Sequence, residues 1–556
     1  MNMFSFIKPY RFVFLLVFAM GLISTFITAA QPMIGKFFID EVLLTKRYSF
    51  SLVLTVAVVV AAVGYGVALF TKFLYFRMSL HIMVDMRTAF YQHLLHLPFA
   101  FFAKKRTGDI LSRMNEDITE IQRLYTENVL QLFTIGLTFV FNVALLLFLN
   151  WRLTLLSFLF IPLLVFGVHA FRHLIFINQM EFRKASAKNQ SFLYETFSAM
   201  NWIRTAHIEK QLQQQFKAEL DHINKQNMKV MFTNASAQGI PQFILMGSAV
   251  LMLVFLGQQV MQGEMTLGTM LAFMAYQASL FATVQGMAQL YIKFQKGRAS
   301  IQRINDFFYI PPIAIEGKDV PESFRTIHFD HVSFSHHPNR PILTDFTFRI
   351  QSGEKVGLIG ENGKGKSTIA QLLAQLYEPV NGAIYLDDHN IREFSKTSWY
   401  KKVCLVAHDH PVWCTTIEQF LRLGNKETTV AELEGIIELV GLSEWIQALP
   451  EKMNTQLDGR GLTVSAGQKQ RLVLARALLQ EADIYIFDEA TCHLDIQSEQ
   501  QLFQRLQERL QTKTVIVITH RYDHLAWLDR IVDLSTNESK QIRGKVANEY
   551  VSVLHG

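Results

Sequence analysis

Gly360-Glu361-Asn362-Gly363-Lys364-Gly365-Lys366-Ser367-Thr368 stands between the apolar run Lys355–Ile359 and the helical pattern Ile369–Tyr377. This is G-x-x-x-x-G-K-[ST] in the setting its chemistry needs, a strand before and a helix after. The glycines let backbone N–H groups close around phosphate oxygens, and the helix N-terminus adds a favourable dipole. The spacing puts Lys366 at the β- and γ-phosphates of a nucleoside triphosphate and the Ser367 hydroxyl on Mg2+. Alternating residues at 326–334 and 346–350 read as strands leading into the loop, so an α/β P-loop NTPase domain is expected here.

Further along, two more apolar runs end in polar residues. Ile484–Phe487 runs into Asp488-Glu489, about 120 residues beyond the loop. Asp488 suits the Mg2+ shell, and Glu489 suits polarisation of an attacking water, which gives two adjacent carboxylates separate roles. Val515–Ile518 ends in Thr519-His520-Arg521. A lone histidine after a strand is ordinarily structural. Beside the other two motifs, His520 is placed to meet the γ-phosphate and the water. Val464-Ser465-Ala466-Gly467-Gln468 opens a helical pattern at 472–480, a small-residue turn of the kind that also receives anions.

Upstream of residue 311 the chain is of another kind. Half of the 556 residues are apolar and only 18% are charged, where a water-soluble globule carries about a quarter. Six stretches hold no Asp, Glu, Lys or Arg: 12–32, 50–71, 129–150, 153–171, 240–262 and 267–292. About 20 helical residues cross a hydrocarbon layer of about 30 Å, and in lipid the backbone must pair internally. Six membrane-spanning helices are therefore expected. The first is an uncleaved span entered through Phe4–Arg11, too long for a signal-peptide core.

Basic residues set the orientation. Lys72, Arg77, Arg87, Lys104, Lys105, Arg106, Arg113 and Arg123 lie between spans two and three, and a similar set from Arg172 to Lys229 lies between spans four and five. The opposite side has only Lys36, Lys46, Arg47 and Arg152. Both chain ends should therefore face the cytoplasm. The net charge of +6 is largely a topology signal, and no nucleic-acid partner is expected. Three cysteines, Cys404, Cys414 and Cys492, make no disulfide framework and suit a reducing cytosol. The outer connections are short, at Asn150–Leu153 and Met261–Leu267. The inner ones run roughly 55 to 70 residues with few Gly or Pro, and read as helical extensions of the spans. The domains expected are 1–310 in the membrane, a linker at 311–323 marked by Pro311 and Pro312, and the nucleotide-binding domain at 324–556.

Taken together, the motifs and their order resemble the ATP-binding-cassette (ABC) transporters, in particular an exporter-type half-transporter in which six spans precede one ATPase domain. The resemblance implies further roles. Ser465, Ala466, Gly467 and Gln468 look like the family signature, which faces the nucleotide of the opposite subunit. Cys492-His493-Leu494-Asp495 resembles the D-loop. His336, in Phe334-Ser335-His336, occupies the place of the aromatic that stacks on adenine. His408 occupies that of the glutamine that touches Mg2+ and senses the membrane domain. Segments that couple the ATPase to the membrane are expected at Thr107-Gly108-Asp109 onward and at Glu195–His207. ATP and Mg2+ are the implied cofactors. A second half-transporter, identical or related, is the implied partner, with the bilayer around both and a hydrophobic, lipid or peptide substrate.

Several positions depart from that pattern. Imidazole at His336 offers less stacking area than a tyrosine, so weaker ATP affinity is expected. At His408 the departure is either drift or a source of pH-dependent hydrolysis, since imidazolium cannot ligate a metal. His408-x-His410 also has a spacing seen at metal sites. Ala466 adds a methyl where the family has glycine, and Val464 replaces leucine. Lys364 adds charge within the phosphate loop. Cys492 reads as an isostere of serine or as a redox switch. A heterodimer with unequal ATP sites stays open, as does a different class of function, an ATP-regulated channel or sensor. No leader-cleaving peptidase is expected ahead of the first span. With only 521–556 after His520, no accessory C-terminal domain is expected, and dimer contacts there should be fewer.

Overall fold

The computed structural model of the chain describes residues 6–105, 107–313, 316–337, 340–408, 410–412, 415–425, 427–457, 464–519, 527–534 and 542–543. Two compact units emerge, one of Met1–Leu95 and Gly108–Ile310, the other of His96–Thr107 and Pro311–Gly556.

The first unit is built of long helices: α1 (Lys8–Leu44), α2 (Phe50–Leu95), α4 (Thr107–Phe158), α5 (Phe160–Ser198), α6 (Glu209–Met261) and α7 (Leu267–Phe308). Among the described residues five of them, all but α5, are long and apolar enough to cross a membrane. Residues 160–171 of the fourth expected span lie in α5. Helix α6 has 53 residues, which at about 1.5 Å each exceeds twice a hydrocarbon layer of about 30 Å. The long connections expected between spans two and three and between spans four and five are thus largely continuations of the spans. Large apolar side chains face outward along these helices, with Phe148 77% and Phe243 79% exposed, a surface suited to lipid and costly in water.

Two short turns between these helices are set by single side chains. At Asn150 the backbone leaves the helix (φ −162°, ψ 100°). The Asn150 side chain accepts from the Leu153 amide at 3.2 Å and donates to Gln259 Oε1 at 2.9 Å. The α6–α7 turn passes through Gly263 at φ +76°. Thr266 then caps α7 by accepting from the Thr269 amide. Asp40 of α1 takes the Gly268 amide at 3.0 Å and the Thr266 hydroxyl at 2.7 Å, tying the end of α1 to the start of α7. Two buried polar groups between helices are paired as well. Asn142 donates to Ser279 Oγ at 2.9 Å and Tyr276 to the Ala29 carbonyl at 2.6 Å, beside a core of Leu146, Met252, Phe273 and Leu280. Asn142, only 2% exposed, is therefore a packing residue. Near the other end of α7, Asp117 accepts from Ser300, Arg303 and Arg113.

In the second unit, α3 (Phe99–Lys104) sets Phe99 edge-on against Tyr377, with ring centroids 5.5 Å apart. The segment between α2 and α4 that joins this unit is His96–Thr107. Thr107, where a coupling segment is expected to begin, is the last residue of that stretch. Glu195–His207 remains with the first unit, where Met200–Ala206 forms a short helix ended by His207 at φ +52°.

Two sheets organise the rest. Strands β1 (Thr326–His337), β2 (Arg340–Gln351), β4 (Asn381–Leu386) and β5 (His389–Asn390) form an antiparallel sheet in the order β2-β1-β4-β5. The other sheet runs β10-β9-β3-β8-β7-β6, from β3 (Lys355–Ile359), β6 (Val403–Ala407), β7 (Ile484–Asp488), β8 (Thr514–Ile518), β9 (Arg530–Asp533) and β10 (Ile542–Arg543). All its pairs are parallel except β9–β10. Strands β7 and β8 are buried at every position, as their unbroken apolar runs require of strands covered on both faces. One core, around Phe329, Ile350, Leu358, Ile369 and Trp399, joins both sheets to helix α8 (Lys366–Leu373). A second core, around Phe420, Leu472, Leu474 and Leu506, gathers the helices on the other side, including α9 (Ala466–Leu478) and α10 (Ile496–Arg509).

Candidate nucleotide site

Open parallel sheets collect ligands at the carboxyl ends of their strands. Here four neighbouring strands, β3-β8-β7-β6, end level with one another. Leu358 pairs with Ile518, Ile518 with Asp488, and Asp488 with Ala407. The residues that follow are the phosphate loop after β3, Thr519 after β8, Glu489 after β7 and His408 after β6. Motifs far apart in sequence are thus neighbours because of strand order. His520 itself lies outside the described residues.

The loop's shape depends on its last glycine. Gly365 caps α8 at φ +93°, and a Cβ there would stand 2.7 Å from Leu343 Cδ2. Lys366 is only 6% exposed. Its ammonium donates to the carbonyls of Gly360 at 2.6 Å and Glu361 at 3.0 Å. Burial pulls its pKa down, while the nearby Glu489, Asp488 and Asp533 pull the other way. The loop is thereby folded around a buried cation. Ser367 Oγ donates to Asp488 Oδ1 at 3.1 Å. One hydroxyl and one carboxylate, both oxygen donors, fit a Mg2+ ion that takes its remaining ligands from phosphate and water. Glu489 is turned out of β7 at φ +50°, its amide donating to the Ile518 carbonyl. That backbone region is uncommon for a residue with a side chain and recurs where function over-determines the geometry. Asn362, Gly363 and Thr368 complete the loop. A Cβ at Gly363 would meet nothing within 4 Å. Lys364 reaches only as far as Glu361, at 4.0 Å, with 45% of its side chain exposed.

At the base-stacking position, His336 is exposed and packs edge-on against Phe334 (4.9 Å) and Tyr377 (5.0 Å). Tyr377, which burial pushes to a higher pKa, was not singled out from sequence. It stands at the end of a helical pattern, where nothing local marks it as the partner of a residue 41 positions earlier.

The signature turn is a capping box. Ser465 Oγ accepts from the Gln468 amide, and Gln468 Oε1 accepts from the Ser465 amide at 2.9 Å. Ala466 is exposed, so its extra methyl crowds nothing in its own chain. At Gly467 a Cβ would come within 3.3 Å of Leu494 and 3.4 Å of the His493 carbonyl. The glycine retained is therefore the one packed against the D-loop. Gln470, also overlooked in the sequence, stitches the two segments. It donates to Cys492 Sγ at 3.2 Å and accepts from the His493 amide at 3.0 Å. Asp495 caps α10 through the Ser498 amide, which holds its carboxyl below the usual range.

His408 is exposed and lines a cleft of about 200 Å3 with His410, His493, Lys469 and Gln470. Among the described residues no three His, Cys, Asp or Glu side chains are grouped to hold a metal ion.

The comparisons agree with this architecture from both ends of the chain. Residues 14–284 match the family model of the ABC transporter transmembrane region, and residues 343–492 match that of the ABC transporter. The multidrug resistance ABC transporter ATP-binding and permease protein of Lactococcus lactis is 27% identical over 85% of this chain and 80% of its own length. The leukotoxin translocation ATP-binding protein LktB of Mannheimia haemolytica is 28% identical over 95% of this chain and 75% of its own. In fold, a bacterial Atm1-family ABC exporter solved with ATP bound superposes with a TM-score of 0.81, covering 99% of both chains at 20% identity. With membrane region and ATPase fused in one polypeptide, and with relatives named for export, this chain belongs to the ABC transporters, as an ATP-hydrolysing membrane protein of the exporter type.

Proposed function

We propose that this ATP-driven exporter acts as a dimer of half-transporters in the cell membrane, with the ATPase domain on the cytoplasmic side, moving an amphipathic, lipid, peptide or drug-like cargo outward. The observation that carries the reading is the level ending of β3, β8, β7 and β6, which gathers Lys366, Ser367, Asp488 and Glu489, in a chain whose other unit has five helices of membrane-crossing length and composition.

In this reading the loop Gly360–Thr368 wraps the phosphates and Lys366 moves its ammonium from two carbonyls to the β- and γ-oxygens. Ser367 and Asp488 would hold Mg2+, with His408 beside them; the ion when bound neutralises charge on the phosphates. Glu489 takes a proton from the attacking water, and His520 orients water and γ-phosphate. His336 lies against the base. Ser465, Ala466, Gly467 and Gln468 face the nucleotide held by the other chain, and Asp495 fixes the D-loop beside them. Two nucleotides would then be closed between two ATPase domains and released by hydrolysis.

Glu489→Gln tests this directly. The variant should bind ATP and Mg2+ and fail to turn over; sustained hydrolysis by it refutes the assignment of the base. ATP-dependent accumulation of a fluorescent amphiphile inside inverted vesicles separates a pump from an ATP-regulated channel, which would only equilibrate it. Robust hydrolysis by the purified chain alone supports a homodimer. The exposed Ala466 and intact Glu489 favour that over a chain with a disabled site.

A further inference from the structure

The cleft of about 200 Å3 at His408 opens at the ends of β6 and β7, against the first two turns of α9. Ala407, which pairs with Asp488, and Ala490, next to Glu489, form part of its wall. It therefore lies beside the two carboxylates, on the β6 side of β7 and away from the phosphate loop after β3. Its ionisable lining is basic. His408 and His410 come from the end of β6, Lys469 from α9 and His493 from the turn after β7. Among the described residues no carboxylate lines it, and Lys469 makes no ion pair or side-chain hydrogen bond. Asp409 lies outside the described residues. His493 is steadied from behind, because Cys492 Sγ stands 3.2 Å from its Nδ1 and itself accepts from Gln470.

These groups share one chemistry. The lysine ammonium carries a full positive charge, and imidazole offers an N–H donor whether neutral or charged. They stand on three separate segments, and among the described residues no three His, Cys, Asp or Glu side chains are grouped to hold a metal ion. Donors spread around the walls suit an anion with several oxygens better than a point cation. Size narrows the class further. The cleft is smaller than the about 300–1,000 Å3 of sites for drug-sized molecules, so a nucleotide does not fit. A water's share of liquid volume is about 30 Å3, which leaves room for a tetrahedral oxyanion and a few waters. Position supplies the source. Hydrolysis leaves inorganic phosphate beside Asp488 and Glu489, whose carboxylates repel it, while the donors of the cleft stand on the β6 side.

We propose that this cleft is a product site that receives the inorganic phosphate set free by hydrolysis, with its oxygens on Lys469, His410 and His493. Phosphate held there slows turnover when it accumulates. The inference rests on the assignment of hydrolysis to this edge of the sheet and adds a regulator of it. Ammonium bonds to an oxyanion are charge-assisted, and a dianion draws more from them than chloride or acetate does.

The test uses the full-length protein in nanodiscs, saturated with Mg2+ and a non-hydrolysable ATP analogue so that the phosphate loop is filled. The phosphorus NMR line width of added inorganic phosphate should then report saturable, millimolar binding that sulfate displaces. His410→Gln with Lys469→Gln should weaken it about tenfold while affinity for the analogue is unchanged, which shows the fold intact. Lys469→Arg, which keeps the charge, should retain binding, as should Lys401→Gln, a lysine ahead of β6 and outside the cleft. During turnover of the wild-type protein, phosphate should inhibit even at saturating ATP, and the double variant should escape that inhibition. No saturable binding, binding that the double variant retains, or inhibition that saturating ATP abolishes overturns the proposal, the last because it places the phosphate in the phosphate loop. Binding beside the analogue needs no turnover, so it stands apart from the Glu489→Gln result, on which the hydrolysis reading depends.

Discussion

Ser367 Oγ lies 3.1 Å from Asp488 Oδ1, a hydrogen bond between residues 121 positions apart that joins the phosphate loop to the end of β7. The hydroxyl and the carboxylate expected on Mg2+ are thus adjacent. Ser367→Ala should lower Mg2+-dependent hydrolysis by about 10- to 100-fold, with a rise in the Mg2+ concentration for half-maximal rate. Titration of activity against Mg2+ checks this; a lower rate at unchanged Mg2+ dependence would place Ser367 in the loop's folding only.

The stack at the base position makes a prediction of opposite sign. His336 presents its edge to Phe334 and Tyr377 and keeps an exposed face. His336→Tyr adds ring area at that face. ATP affinity should rise about 3- to 10-fold, a fraction of the ~1–3 kcal/mol available per stacked base. Equilibrium binding of ATP to the Glu489→Gln background measures it free of turnover, and no gain would remove His336 from the base.

At the α6–α7 turn, a Cβ on Gly268 would fall 2.6 Å from Asp40 Oδ1 and 2.7 Å from the Lys36 carbonyl. Gly268→Ala must push α1 and α7 apart or break the Asp40 bonds, a cost of about 1–3 kcal/mol. Gly35→Ala is the control, because a Cβ there meets nothing within 4 Å and alanine favours a helix. Thermal unfolding of the purified protein should show a clear fall in Tm for Gly268→Ala alone.

Asp483 contributes to the acid sensitivity of the ATPase unit. Burial raises its carboxyl, but hydrogen bonds from Lys402 (2.6 Å) and Lys513 (2.8 Å) outweigh that and hold it below the usual range. A carboxyl whose folded pKa is depressed contributes stability above its unfolded value of about 3.9 and loses it as pH falls through the folded one. Asp483→Asn should therefore lower stability at pH 7 and flatten its decline below about pH 4. Urea midpoints measured across pH 3 to 7 would show it.

Local pattern was enough for much of this molecule. Uncharged runs of membrane length, basic residues on one side of them, and a glycine loop between a strand and a helix are each written in consecutive residues, because backbone pairing in lipid and around phosphate imposes a fixed period or spacing. Those features placed Lys366, Ser367, Asp488 and Glu489 before any fold was known. Tertiary structure decided what depends on distant partners. It set Tyr377 beside His336 and Phe99, tied Gln470 to Cys492 and His493, and put Gly268 against Asp40, 228 residues away. It also left Ala466 exposed where a methyl could have been a clash, and placed His96–Thr107 in the second unit. Strand order and helix packing choose these neighbours, and neither has a period that a reader of consecutive residues can count.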